Sequence, residues 1–256
     1  MNRLSVIIIT HNEEENLPRC LQSVKWADEV VVVDSHSTDR TPQIAADHGC
    51  VYFDLDWSGF GAAKQAALDR ATGDWVLSID ADEAVSDELG TSIAGVVKGN
   101  HSYSGFEMPR CTNFLGRWIR HCGWYPDYIL RLFRRDSGRF NQAVVHESIA
   151  VKGPIGRLAG DLLHYSYPNL EKYFTKSNRY TTLGAEEAFR HGKRAGMADL
   201  LFRPPISFFK HYIQKAGFLD GPQGLLVSSL SAAAVFNKYA KLWHLEKQAD
   251  ATNGRQ

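Results

Sequence analysis

The sequence predicts an α/β chain: a mainly parallel central sheet flanked by helices, followed by a helical C-terminal extension. Three observations carry that prediction. Short β-branched runs alternate with stretches whose apolar residues recur at helical spacing, the runs are apolar throughout as strands buried on both faces are, and each run stops abruptly on a polar residue.

The first run, Leu4–Thr10, is followed at once by His11, Asn12 and Glu13. Leu17, Cys20, Leu21 and Val24 then mark a helix, with Pro18 near its start, where proline is tolerated. The second run begins at Glu29, contains four consecutive valines and ends at Asp34. Behind it, SHSTDRTP supplies turn residues and a helix start at Thr41 and Pro42. Val51–Phe53 is a third short strand, after which Gly59 and Gly61 lead into a helix that carries Lys64, Ala67 and Leu68 and ends near Gly73. In the fourth run, WVLSIDADE from Trp75, the apolar strand delivers Asp80, Asp82 and Glu83 to its end.

Alternation of this kind implies right-handed crossovers and a ligand site beyond the carboxyl ends of the strands. Thr10, Asn12, Asp34, Asp80 and Asp82 all fall at such ends. Carboxylates at i and i+2 of a chain leaving a sheet can reach one hard divalent cation, Mg²⁺ or Mn²⁺, and the phosphate-bearing ligand it neutralises. The same spacing also serves helix caps and solvated turns.

The middle of the chain changes character. Asp87–Val97 reads as a helix, Tyr103–Pro109 as a strand, Phe114–Trp124 as a loop or hairpin, and Tyr128–Phe133 as a strand. Val144–Glu147 (VVHE) and Asp161–His164 (DLLH) read as extended pieces, so mixed or antiparallel pairing is expected here. From about Tyr165 the pattern is helical. This predicts an α/β domain over 1–165, in two halves of about 1–100 and 101–165, and a helical region over 166–256.

With 256 residues, 44% hydrophobic and 23% charged, the chain is long enough for a substantial core. Lysine plus arginine equal aspartate plus glutamate at 29 each, which removes the global basic field expected of a nucleic-acid binder. Cys20, Cys50, Cys111 and Cys122 form no C-x-x-C pair, and a reduced cytosolic setting fits them better than a disulfide framework. No signal-peptide pattern opens the sequence, and no stretch approaches the ~20 apolar residues of a membrane span.

IIITHNEEENL at 7–17, VVVDSHSTDRT at 31–41, SIDADE at 78–83, YPDYILRLFRR at 125–135, VHE at 145–147 and HYSYPNLEKY at 164–173 occur in an order and spacing that resemble family 2 glycosyltransferases of the GT-A (nucleotide-diphospho-sugar transferase) fold. Within that family they are similar to bacterial lipopolysaccharide inner-core β-1,4-glucosyltransferases. The resemblance implies that 1–165 is a catalytic domain with a donor half over about 1–100 and an acceptor half over about 101–165, that the donor is a UDP-hexose, UDP-glucose, and that the acceptor is an inner-core heptose at the cytoplasmic face of the inner membrane. It implies that Thr10, Asn12 or Glu13, and Asp34 contact the nucleoside, that Lys64 approaches the base or diphosphate, and that Asp80 and Asp82 form the D-x-D motif, with Asp82 on the metal. Where many relatives carry two adjacent acids after the second strand, this chain has Asp34, Ser35 and His36. No role is carried onto Ser35.

Inverting transfer needs a base for the acceptor hydroxyl, and two carboxylates compete for it: Glu147, which is favoured, and Asp127, which could instead bind acceptor. His164 corresponds to a late histidine that meets the metal or diphosphate in many GT-A enzymes, although a buried structural histidine would look the same in sequence. Trp124, Tyr125 and Arg131 suit a sugar acceptor bearing phosphate or carboxylate. The C-terminal helices interleave basic and aromatic residues in a way that fits a membrane interface, packing on the catalytic domain, or a homo-oligomer. The alternatives are another acceptor (capsule, lipid-carrier glycan or protein) and a non-catalytic nucleotide-sugar-binding protein. A nucleotidyltransferase is disfavoured, because THNEEENL lacks the glycine-rich, arginine-containing phosphate loop.

Overall fold

The computed structural model describes residues 2–141 and 148–253. The first part follows the predicted alternation: β1 (Leu4–Thr10), α1 (Leu17–Ser23), β2 (Glu29–Asp34), α2 (Thr41–Asp47), β3 (Val51–Asp54), α3 (Phe60–Arg70) and β4 (Trp75–Asp80). A very short strand not foreseen from the sequence, β5 (Glu83–Val85), precedes α4 (Asp87–Lys98). Then come β6 (Gly105–Phe114), β7 (Arg117–Ile119), β8 (Asp127–Arg134), β9 (Gly138–Phe140), β10 (Ile149–Val151), β11 (Ile155–Arg157) and β12 (Leu162–Tyr167). Three helices finish the chain: α5 (Leu170–Arg190), α6 (Met197–Phe209) and α7 (Gly221–Asn253).

The main sheet runs in the order β3-β2-β1-β4-β8-β6-β12-β5. β1 pairs in parallel with β2 and β4, and β2 with β3, whereas β8 is antiparallel to β4 and β6. The central strands alternate their side chains between two cores, as period-2 geometry requires. Val6, Ile8, Val32, Leu77 and Ile79 face α1 and α4 through Leu17, Cys20, Leu21, Leu89 and Ile93. Ile7, Val31, Val33 and Val76 face Ala67 and Leu68 of α3.

Leu115 and Gly116, both with positive φ, turn β6 back into β7, which resolves the 114–124 segment as a hairpin. The extended piece predicted at DLLH continues to Tyr167, so the helical part starts later than Tyr165. The cause is local: Pro168 intervenes, and the Asn169 side chain caps α5 by accepting from the Lys172 amide at 2.8 Å. The VVHE segment, with His146 and Glu147, lies outside the described residues.

By its packing the chain divides into two compact units, Met1–Cys111 with Pro126–Tyr165, and Thr112–Tyr125 with Ser166–Gln256. In the second, Phe114, Ile119, Cys122, Tyr173 and Val227 form one core and Ala185, Ala188, Ala195 and Leu242 another. The buried Asp220 carboxylate accepts from the His121 amide at 2.8 Å and meets its Nδ1 at 2.9 Å, tying the β7 loop to the start of α7. Among the described residues no helix is long and apolar enough to cross a membrane.

One glycine in the first unit is obligatory. Gly160 has φ +90°, and a β-carbon there would lie 2.2 Å from the Leu89 backbone nitrogen in the first turn of α4. Gly160→Ala is therefore expected to destabilise the protein by about 1–3 kcal/mol through backbone strain and overpacking, read as a lowered urea midpoint.

Candidate active site

The strand register sets the site. Thr10 at the end of β1 pairs with Asp34 at the end of β2, and Ile9 pairs with Asp80 at the end of β4, so three carboxyl-terminal tips lie level. The chain leaves β1 toward β2 and β3, then returns to the opposite side of β1 as β4. The gap between β1 and β4 is thus a topological switch point, where parallel sheets open a crevice for ligands.

Asp34 organises one wall of that crevice. Its buried carboxylate accepts from Thr10 Oγ1 at 2.6 Å, the Ser37 amide at 2.7 Å, Ser37 Oγ at 2.6 Å and the Tyr52 hydroxyl at 3.0 Å. Burial and the neighbouring carboxylates push the Tyr52 phenol up. Asn12, at φ +55°, donates its amide to Ser37 Oγ at 2.7 Å and accepts from the Thr38 amide at 2.9 Å through its side-chain oxygen. The Glu13 amide donates to Thr41 Oγ1, and its carboxylate accepts from Asn16 within the same loop. These bonds lock the β1–α1 and β2–α2 loops into one rim. On the departure from the family pattern, His36 reaches Asp56 at 2.9 Å, a hydrogen bond that raises its imidazole pKa.

The other wall is a chain of alternating charges. Lys64 on α3, 2% exposed, places Nζ 2.8 Å from Asp80 Oδ1, and Arg131 on β8 places Nη2 2.7 Å from Asp80 Oδ2. The same Nη2 donates to Glu83 Oε1 at 3.0 Å, while Glu83 Oε2 accepts from the Asp80 amide at 2.9 Å. Arg110 lies 3.7 Å from Glu83 and donates through Nε and Nη2 to Asp127 Oδ2, at 3.1 and 2.6 Å. Burial opposes ionisation of Asp80, but Arg131 and Lys64 outweigh it and hold the carboxyl well below the usual carboxylate range.

Asp82 stands differently. It sits in the turn between β4 and β5, and its Oδ2 lies 3.2 Å from Nε2 of His164 on β12. The Asp82 carbonyl accepts from the Tyr165 amide at 2.9 Å, and β12 pairs His164 with Glu83, so the ladder fixes both partners. His164 is 9% exposed, and its Nδ1 is buried with no hydrogen-bond partner. Among the described residues no group of three or more histidine, cysteine, aspartate or glutamate side chains could hold a metal ion. A pair suffices for a cation that takes the rest of its ligands from a diphosphate and water. Two ligands at right angles about 2.1 Å from a small cation are ~3 Å apart, which fits the Asp82–His164 separation.

Of the charge chain, Glu83 is read from the sequence only as the last acid of the run, without a role, and Arg110 is not singled out. Glu83 closes the acidic run, yet its side chain is wholly buried, and only the fold shows that it receives Arg131 and Arg110. Arg131, expected on the acceptor side, is committed to Asp80 and Glu83. Asp127, at the start of β8, is held by Arg110. Glu147 is outside the described residues. Trp124 and Tyr125 belong to the second unit, where the Trp124 ring packs with Phe114 and Tyr167, and Arg120 lies over the Tyr125 ring.

Comparison with known proteins agrees on one family. The family described as glycosyl transferase family 2 matches residues 5–149. A lipopolysaccharide core biosynthesis glycosyltransferase, LpsC of Rhizobium meliloti (strain 1021), is 30% identical over 256 residues, which cover 93% of this chain and 93% of the relative. An uncharacterized glycosyltransferase of Rickettsia typhi is 30% identical over 96% of this chain and 88% of its own length. Among solved structures, S. aureus TarS 1–349 in complex with UDP-GlcNAc matches with a TM-score of 0.47 at 16% identity, over 96% of this chain and 92% of that one. Since the family match spans more than half of the chain and the first of these relatives is matched almost end to end, the chain belongs to glycosyl transferase family 2.

Proposed function

We propose that this glycosyltransferase is an inverting, metal-assisted enzyme that moves a hexose, glucose from UDP-glucose, onto an inner-core heptose of lipopolysaccharide. The observation that carries the reading is the division of labour between the two aspartates of the D-x-D motif. Asp80 is neutralised by two cations, whereas Asp82 is paired with a histidine whose other nitrogen has no partner. The name of the Rhizobium meliloti relative supports the lipopolysaccharide core as acceptor.

On this reading the first unit is the catalytic domain. The rim built by Thr10, Asn12, Glu13 and Asp34 receives the nucleoside, and Asp34 holds that rim in shape. Lys64 and Asp80 stand at the diphosphate side. Asp82 and His164 would hold Mg²⁺ or Mn²⁺, which when bound stabilises the charge of the departing diphosphate. Glu147 takes the proton from the acceptor hydroxyl, and Asp127 orients the acceptor side. The lipid-borne acceptor places the enzyme at the cytoplasmic face of the inner membrane.

The test is transfer of labelled hexose from UDP-sugars to lipopolysaccharides truncated at successive core positions. Transfer to heptose-bearing core supports the proposal; transfer only to a peptide or a lipid-carrier glycan overturns the acceptor. Asp82→Ala is expected to lower turnover about 10²-fold or more while leaving the unfolding midpoint unchanged, since the Asp82 side chain is 28% exposed and the turn is held by backbone bonds. Loss of Mn²⁺-dependent UDP affinity in calorimetry would accompany it. Parent-level turnover in that variant would remove the metal from Asp82.

A further inference from the structure

A helix that carries an apolar stripe normally buries it against a core. α6 does not: none of its thirteen residues is buried. Phe202, Ile206, Phe209 and Ile213, at positions i, i+4, i+7 and i+11, are 62%, 63%, 62% and 55% exposed. That spacing puts them on one face, which continues from α6 into the π-helical turn at Lys210–Gln214. Leu201 is also exposed, as are Phe218 and Leu219 beyond the turn, both about half. The helix is anchored from its other side, where Arg203 lies over the Tyr239 ring of α7 at 4.7 Å.

The exposed charges of this segment have a net basic excess. Between residues 197 and 219 the basic side chains Arg203, Lys210 and Lys215 are all exposed, and the one acid, Asp199, is held by Arg203 at 2.5 Å. An apolar face with a net excess of exposed cations, on a helix too short to span a bilayer, fits an anionic interface, into which such helices sink by about 5–10 Å. A second copy of the chain fits less well. Isologous pairing through this face would bring the same lysines toward each other with no acid to meet them.

We infer that the exposed face of α6 and its π-helical turn, centred on Phe202, Ile206, Phe209 and Ile213 and flanked by Lys210 and Lys215, is a docking surface for an anionic lipid bilayer. The inference adds to the reading of a lipid-borne acceptor the surface by which the protein would reach it. Its test uses neither donor nor acceptor, so failure of the catalytic reading leaves it standing.

The experiment is flotation of the full chain with vesicles of phosphatidylcholine alone or mixed with phosphatidylglycerol, at low and high salt. The parent is expected to float with the mixed vesicles and to be released by salt. Phe202→Gln with Phe209→Gln should weaken binding on the order of a hundredfold, since each buried phenylalanine contributes about tenfold or more. Lys210→Glu with Lys215→Glu should weaken binding to the mixed vesicles by roughly 25-fold or more, at about fivefold for each lysine removed. Ile206→Trp should show a blue-shifted emission that brominated lipids quench. These positions are exposed, so circular dichroism of each variant should match the parent. Flotation that is absent in the parent, or equal in parent and double-phenylalanine variant, overturns the inference. So does sedimentation showing a parent dimer that the phenylalanine variant dissociates, with no vesicle binding in either, because the face would then join two copies.

Discussion

Asp80→Asn is expected to lose about 3–5 kcal/mol of folding stability, the usual consequence of removing one partner from a buried ion pair. Lys64 is 2% exposed and Arg131 11%, and both direct their charge at this carboxylate, so asparagine removes the negative charge they share, leaving Arg131 its Glu83 partner. The urea midpoint should fall with the slope of the transition unchanged. Lys64→Met should cost less, because Asp80 keeps Arg131 and its side chain is 31% exposed. The pH dependence has a definite sign. Asp80 has a folded pKa below its unfolded value, so its contribution is complete above the ordinary aspartate value of about 4 and is lost as pH falls through the lower folded value. The stability difference between parent and Asp80→Asn should therefore be full at neutral pH and shrink in acid. Equal stabilities at neutral pH would mean that the carboxylate does not hold the two cations together.

The contrast between Asp80 and Asp82 shows where sequence reading stops. The strand tips are legible because their causes are local: Leu4–Thr10, the four valines before Asp34, and WVLSI before Asp80 each combine a β-branched or apolar run with a polar stop. Parallel register then brings Thr10, Asp34 and Asp80 together with no further information. What each acid faces depends on contacts far along the chain. Arg131 is 51 residues from Asp80, and Arg110 approaches Glu83 from β6. Glu83 illustrates the limit most sharply, since an acid at the end of an acidic run reads as solvated, yet it is buried between two arginines. β5 escapes notice for a related reason: three residues carry too little periodicity to register, and its strand character comes from pairing with β12.

Glu147→Gln is expected to lower kcat by about 10²–10⁴-fold, the range for removal of a general base, with UDP-sugar affinity retained. Asp127→Asn is expected to act mainly on the acceptor KM. Asp127 is assigned to the acceptor by the partner that holds it. Asp127 accepts two donors from Arg110 on a single oxygen and through Arg110 joins the charge chain that ends at Lys64. A carboxylate fixed by a guanidinium is well suited to holding a sugar hydroxyl in place, and the oxygen that accepts both Arg110 donors is already engaged. Arg110→Lys should then reproduce the Asp127→Asn pattern, because a lysine cannot supply the forked donor geometry. Steady-state kinetics with acceptor varied at saturating donor would read both parameters. A collapse of kcat in Asp127→Asn, with Glu147→Gln near parental, would exchange the roles and make Arg110 the residue that orients the base.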